Sequence, residues 1–238
     1  MYPKQTIQEV KMKINIAIDG PAGAGKSTIS RKAAEKLGYI YIDTGALYRT
    51  VGVSALRKKV DMQSDEAIAS VLPETKVELK FIDGEQRMFL CGEDVSKEIR
   101  LPEASMAASR VSAVPAVRAF LFDLQREMAE KNDCIMDGRD IGTVVLPNAQ
   151  VKIFLTASPE CRANRRYKEL CEKGIEASYD EVLTDIVKRD YDDSHRKIAP
   201  LKPAEDSVTV DTSDIGLEES IEKVISVITE KTKGLKDD

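Results

Sequence analysis

A chain of 238 residues, 42% hydrophobic and 32% charged, can build one large α/β domain or a core carrying a single inserted subdomain. Its formal charge of −5 argues against coating nucleic acid, which needs a basic face, and leaves room for a local basic pocket. Cys91, Cys134, Cys161 and Cys171 lack C-x-x-C spacing, no run nears the ~18 apolar residues of a membrane span, and no signal-peptide apolar stretch opens the chain. A reducing compartment, the cytoplasm, is therefore expected.

Residues 1–12 read as a polar extension, disordered or bypassed by initiation at Met12, and the folded domain is expected over 13–238. Ile14, Ile16, Ala17 and Ile18 make a short apolar strand. Residues 19–28, DGPAGAGKST, follow it and fit G-x-x-x-x-G-K-[ST] through Gly20, Gly25, Lys26 and Ser27. With Pro21, Ala22, Gly23, Ala24 and Thr28 they form a cradle whose backbone N–H groups face phosphate oxygens at a helix N-terminus. Lys26 would reach the β- and γ-phosphates of ATP, and the Ser27 hydroxyl would ligate Mg²⁺. The bland alternative is a glycine-rich turn with a solvated lysine, which leaves the strand–loop–helix context unexplained.

The helix over 29–37 stops at Gly38, and a strand over 39–42 ends at Asp43. Thr44 is expected to cap the next helix, on which Leu47, Val51 and Ala55 share a face. Thr44 and Arg49 are either a cap and an exposed arginine or contacts to a second, phosphate-bearing ligand. Between 62 and 103 the texture changes to a β-hairpin. Val77, Leu79 and Phe81 alternate with charged residues, Asp83 and Gly84 turn, and 87–91 returns. A hairpin inside a βα alternation reads as an inserted subdomain on the acceptor side.

Val117, Leu121, Leu124 and Met128 then trace a helix, and a buried strand over 134–136 delivers Asp137-Gly138-Arg139-Asp140. Two acids and an arginine there are either an internal ion pair or a ligand site, because burial of unpaired charge is costly. Asp137 resembles the acid that orients a Mg²⁺ shell, Arg139 suits phosphate, and Asp140 can accept from an exocyclic amine such as cytosine N4. A strand over 151–155 precedes a helix opened by Ser158 and Pro159, with a mobile lid expected over about 158–178. Arg162, Arg165 and Arg166 on this helix are either a solvated basic face or lid arginines neutralising a migrating phosphoryl group. Ser178 and Glu181 form a capping box before the next helix. There Arg189, Asp193 and Arg196, at i, i+4 and i+7, are either an ion-pair ladder or acceptor contacts. A strand over 208–210 and a helix carrying Leu217, Ile221, Val224, Ile225 and Ile228 close the chain. The predicted fold is α/β: a P-loop, doubly wound, five-stranded parallel sheet with helices on both faces and the inserted hairpin.

Together DTGALYR (43–49), GEDVSKEIR (92–100), AASRVSAVPAVR (107–118), DGRDIGTVV (137–145) and RDYDDSHRKIAPL (189–201) resemble the bacterial cytidylate kinases, the (d)CMP kinase branch of the nucleoside monophosphate kinases. The resemblance implies that Ser109, Arg118 and Asp140 read the acceptor base. It places Arg49, Arg139 and Arg196 on phosphate, and Arg189 and Asp193 on sugar. Thr44 stands where many relatives have serine, and Ser27-Thr28 where they have glycine-threonine. The implied reaction transfers the γ-phosphoryl group of Mg·ATP to CMP or dCMP in a monomer, with Lys26, Arg139, Arg162 and Arg166 neutralising charge and Ser27 and Asp137 on the metal. Two rivals stand beside it. One is a kinase of the same fold for UMP, AMP or shikimate; the other is a nucleotide-switch binding module, although no N-K-x-D guanine motif occurs.

Overall fold

The computed structural model describes residues 13–82 and 85–235, so the extension at 1–12 and the Asp83–Gly84 turn lie outside the described residues. β1 (Asn15–Asp19) runs through the phosphate loop into α1 (Lys26–Leu37), which ends at Gly38 in a left-handed conformation, φ 72°. β2 (Ile40–Asp43) leads directly into α2 (Thr44–Arg57). The insertion holds α3 (Asp65–Ala69), β3 (Val77–Ile82), β4 (Glu85–Leu90) and β5 (Glu93–Asp94). After α4 (Pro102–Val111) and α5 (Pro115–Lys131) come β6 (Cys134–Gly138) and a π-helical segment, Ile141–Val145. β7 (Val151–Thr156), α6 (Pro159–Glu172), α7 (Tyr179–His195), β8 (Val208–Asp211) and α8 (Leu217–Lys231) complete the chain.

The five parallel strands lie in the order β2-β6-β1-β7-β8. Side chains alternate across a pleated strand. Ile16, Ile18, Ile135, Ile153 and Leu155 therefore face one way, against α1 and α8. Ala17, Ile42, Cys134 and Met136 face the other way, against Ala129 of α5 and Ile141 and Val145 of the π segment. Both faces are covered, as a parallel sheet with near-continuous apolar strands requires. The order reverses at β1, between β6 and β7, which is where the carboxyl-end crevice of such a sheet opens. Gly20 stands at that point with φ 153°, and a Cβ there would lie 1.9 Å from the Leu155 carbonyl oxygen, so the loop can leave β1 only through glycine.

Two local expectations need correction. Asp43 caps α2, its Oδ1 accepting from Ala46 N at 2.9 Å, while Thr44 is already helical and spends its hydroxyl on the Asp137 carbonyl, 2.7 Å away. The carboxylate is the stronger acceptor, and Thr44 is drawn across to β6. The insertion is a three-stranded antiparallel sheet, because β5 folds back onto Phe89 and Leu90. Its apolar face is buried only at the base. Val77, Met88 and Leu90 join the core around α2 and α5, whereas Phe81 is 46% exposed. Among the described residues no helix is long and apolar enough to cross a membrane.

Candidate active site

The phosphate loop, the start of α2, α4, α5, the β6 end, α6 and α7 enclose one cleft of about 490 Å³. At the loop, Lys26 is only 7% exposed and its Nζ donates to the carbonyls of Gly20 (2.7 Å) and Pro21 (2.8 Å). Burial, and next the charge of Arg139, hold its pKa well below the usual lysine value. Gly23, Gly25, Ser27 and Thr28 line the cleft with it. Gly20 lies behind them against β7, and Ala24 packs into the core below α1.

Ser27 Oγ donates to Asp137 Oδ2 at 2.9 Å, and Tyr41 Oη donates to Asp137 Oδ1 at 3.2 Å. Burial, then the neighbouring Asp43, pushes the Asp137 pKa up to about 7. A hydroxyl and a carboxylate side by side are hard oxygen donors of the kind Mg²⁺ takes. That ion uses one or two protein oxygens and fills its octahedron with phosphate and water. A cation here would also hold Asp137 ionised against the cost of its burial.

The half of the cleft away from the phosphate loop is dominated by arginine. Arg49 Nη2 pairs with Asp43 Oδ2 at 2.7 Å, and Arg139 Nε donates to Asp193 Oδ2, also at 2.7 Å. Asp140 is shared: Oδ2 accepts from Arg118 and Oδ1 from Arg196 Nη2 at 3.1 Å. The acids of the β6 motif thus pair with residues distant in the chain, and Arg139 with Asp140 form no internal bridge of the kind weighed from sequence. The ion-pair ladder gives way likewise. Asp193 turns to Arg139, and Arg196 has left the helix as the C-cap of α7, ψ 142°. Ser109 lines the same wall from α4.

Arg49, Arg118, Arg139, Arg189 and Arg196 line this half against the carboxylates Asp43, Asp140 and Asp193. Buried polar atoms are normally partnered. Among the described residues the buried side-chain atoms without a partner are Ser30 Oγ, Arg49 Nε, Arg118 Nη1, Gln125 Oε1, Thr143 Oγ1 and Arg189 Nε. Those of Arg49, Arg118, Gln125 and Arg189 belong to residues lining the cleft. Arg189 has its pKa lowered by burial and then by the like charge of Arg139. Excess cations stripped of water, with donors unspent, favour an anionic, multiply accepting ligand.

Of the three arginines of α6, Arg162 and Arg165 are not part of a solvated face, whereas Arg166 is exposed. Arg162 is 2% exposed, grips both oxygens of Asp190 on α7 (2.9 and 2.5 Å) and donates to the loop carbonyl of Ala22 at 3.0 Å. Arg165 donates to the Thr212 carbonyl at 2.6 Å, and Arg166 pairs with Glu169 at 2.8 Å. All three line the cleft, but Arg162 ties the loop, α6 and α7 together while Arg166 stays half exposed.

Sequence reasoning missed three residues here. Tyr41 braces Asp137, and Gln86 of the insertion accepts from Asp43 N at 3.0 Å, linking the small sheet to the Asp43–Arg49 motif. The third is Asp19, 5% exposed, which accepts from the N–H groups of Ile141 (2.8 Å) and Gly142 (2.7 Å). Its signal was an acid ending an otherwise apolar strand. Burial raises the Asp19 pKa from 3.8 to about 6, the two N–H bonds opposing the shift. A folded-state pKa above the unfolded one means that the folded protein binds more protons between pH 4 and 6, so stability falls as pH rises through that window. We expect urea unfolding of the wild type to lose up to about 3 kcal/mol there that Asp19→Asn does not lose; parallel curves for the two proteins would refute it.

A phosphate loop at the reversal point of a five-stranded parallel sheet, facing an arginine-lined second half of the same cleft, places this chain among the P-loop kinase folds. A crystal structure of an uncharacterized protein from Eubacterium ventriosum shares that fold, with a TM-score of 0.51 at 13% identity over 91% of this chain and 98% of that one. The family model described as cytidylate kinase matches residues 16–230, and the chain belongs to that family. A cytidylate kinase of Caldicellulosiruptor bescii is 50% identical over 93% of this chain and 98% of its own length. One of Caldanaerobacter subterraneus subsp. tengcongensis is 51% identical over 94% and 99% respectively.

Proposed function

We propose that this chain transfers the γ-phosphoryl group of Mg·ATP to CMP or dCMP, giving ADP and CDP or dCDP. Family membership supports the reaction, and the observation that carries the acceptor's identity is Asp140. Its carboxylate, held by Arg118 and Arg196, is an acceptor-only group suited to the cytosine amine. Ser109 and Arg118 complete the base site, Arg49, Arg139 and Arg196 take the acceptor phosphate, and Arg189 and Asp193 take the sugar. Thr44, which lines the same cleft, contacts the acceptor beside Arg49.

The nucleophile is an oxygen of the acceptor's own phosphate, largely deprotonated near pH 7 because its second pKa is about 6. It forms the new bond to the γ-phosphorus as the bond to the β–γ bridging oxygen breaks, and ADP leaves with that electron pair. No side chain has to take a proton. Residues 20–28 cradle the phosphates, Lys26 exchanges its loop carbonyls for phosphate oxygens, and Arg139 and Arg166 neutralise charge along the transfer line. Arg162 acts from its tie to the loop. Ser27 and Asp137 would hold Mg²⁺, which when bound would supply charge neutralisation at the triphosphate. Closing of the 158–178 lid and the 62–103 subdomain would exclude water. Both half-sites come from one chain, so a monomer, working in the cytoplasm, is the expected form.

A coupled ADP-release assay across CMP, dCMP, UMP, AMP and shikimate is the direct test. We expect the cytidine nucleotides to exceed every other acceptor in kcat/KM by at least tenfold. A preference for UMP, AMP or shikimate would reassign the acceptor, and nucleotide binding without acceptor-stimulated turnover would point to a switch module.

A further inference from the structure

The π segment Ile141–Val145 begins directly after Asp140, which occupies its N-cap position. The first N–H groups of a helical segment have no partner within it, and an aspartate at the N-cap ordinarily folds its own side chain back to accept from them. Asp140 makes no such bond. Its carbonyl accepts from Val144 and Val145, while its carboxylate points away to Arg118 and Arg196. The two N–H groups that follow it, on Ile141 and Gly142, are taken instead by the two oxygens of Asp19.

Asp19 can do this because of the sheet. It is the last residue of β1 and pairs in register with Gly138, the last residue of β6, so its side chain reaches forward over the turn that β6 makes. The cap is thus supplied by a strand 122 positions away, at the residue where the phosphate loop begins.

We propose that Asp19 is a positioning residue for acceptor selection: by capping the π segment in place of Asp140, it leaves the Asp140 carboxylate free to face the base. The inference rests on the reading of Asp140 as the base reader. The chain's two half-sites then share one joint, since the backbone that starts the loop also fixes the orientation of the acceptor motif. Without Asp19, the Asp140 carboxylate has an alternative use close at hand, on the open N–H groups of its own helical segment, and that use competes with Arg118 and Arg196 for its aim into the cleft.

The test is a double-mutant cycle with Asp19→Asn and Asp140→Ala, read as KM for CMP, KM for ATP and the CMP to UMP ratio of kcat/KM. Asp19→Asn keeps the shape but presents an N–H to an N–H. We expect it to raise the CMP KM about tenfold, the scale of one lost cap, and to erode the CMP to UMP ratio by a similar factor. The ATP KM should stay within about twofold, and in the Asp140→Ala background Asp19→Asn should add less than about twofold, because the group it positions is gone. A merely structural role would move both KM values together and leave the base preference intact. Equal losses for CMP and ATP, or effects that multiply in the double variant, overturn the inference.

If Asp140→Ala leaves the CMP KM unchanged, the base-reading assignment itself fails and this inference with it. If Asp140→Ala weakens CMP and Asp19→Asn does not, only the role of Asp19 fails. Should Asp19→Asn not fold, amide hydrogen exchange on the wild-type protein decides: the Ile141 and Gly142 amides should be strongly protected, and exchange at the rate of open loop amides would refute the cap.

Discussion

Lys26→Ala is expected to lower kcat about 10³-fold or more while the protein stays folded. The charge that moves during phosphoryl transfer lies on oxygens that have lost most of their water, where one well-placed cation contributes far more than in solution. Lys26 is so placed by the loop itself, through its two carbonyl partners Gly20 and Pro21. Stability should change little for an opposing pair of reasons. Two hydrogen bonds of about 1 kcal/mol each are lost, and a cation that burial disfavours, as its lowered pKa records, is removed. The β1–α1 packing through Ile16, Ile18, Ile29 and Ala33 is untouched. Steady-state assay of ADP release beside a thermal melt checks both halves. Near-normal turnover would mean that Lys26 does not meet the transferring group, and a collapsed melt would mean that the loop needs the lysine to fold.

The phosphate loop was legible because its requirements are local: glycines where the backbone must bend, and a lysine and a hydroxyl at fixed offsets. The strands were legible for the same reason, the apolar runs of the parallel sheet and the alternation of the inserted hairpin being properties of adjacent residues. What the arginines do was much less legible. Spacing of i, i+4 and i+7 suggests that Arg189, Asp193 and Arg196 pair with one another, whereas Asp193 finds Arg139, 54 positions earlier, and Arg196 finds Asp140, 56 positions earlier. An ion pair is settled by which elements the fold brings together, and sequence spacing reports only neighbours on one element. Arg162 shows the same thing. As a helix residue it reads as a basic face; in the fold its partners are Asp190 of α7 and the loop carbonyl of Ala22. The two-residue β5 was too short for an alternation to register. The π segment was hidden because Ile-Gly-Thr-Val-Val has the composition of a strand, and the acceptor for its first N–H groups is an aspartate of β1, distant in the chain.

Asp140→Ala should raise the KM for CMP about 10²-fold and leave that for ATP within a few-fold. A carboxylate offers about four acceptor sites. Arg118 and Arg196 use one on each oxygen, which leaves acceptor capacity for a ligand and no donor. Cytosine presents an amine at its 4-position and uracil a carbonyl, so a carboxylate that accepts from both arginines attracts the first and repels the second. A site built to bond a polar group rejects the analogue lacking it by large factors, because its own buried groups are left unpaired. Asp140→Ala has a second cost, since Arg118 and Arg196 lose a shared counter-ion, and one broken buried pair commonly removes 3–5 kcal/mol. Loss of CMP binding in that variant alone is therefore ambiguous between lost reading and a disordered pocket. Asp140→Asn separates the two. The amide retains one acceptor and adds a donor, so it should lose preference for CMP and gain relative activity on UMP, whose 4-carbonyl can accept. A damaged pocket would lose both acceptors in proportion. An unchanged CMP to UMP ratio in Asp140→Asn, with both KM values raised alike, would remove Asp140 from base recognition and leave it as the counter-ion that holds two arginines in place.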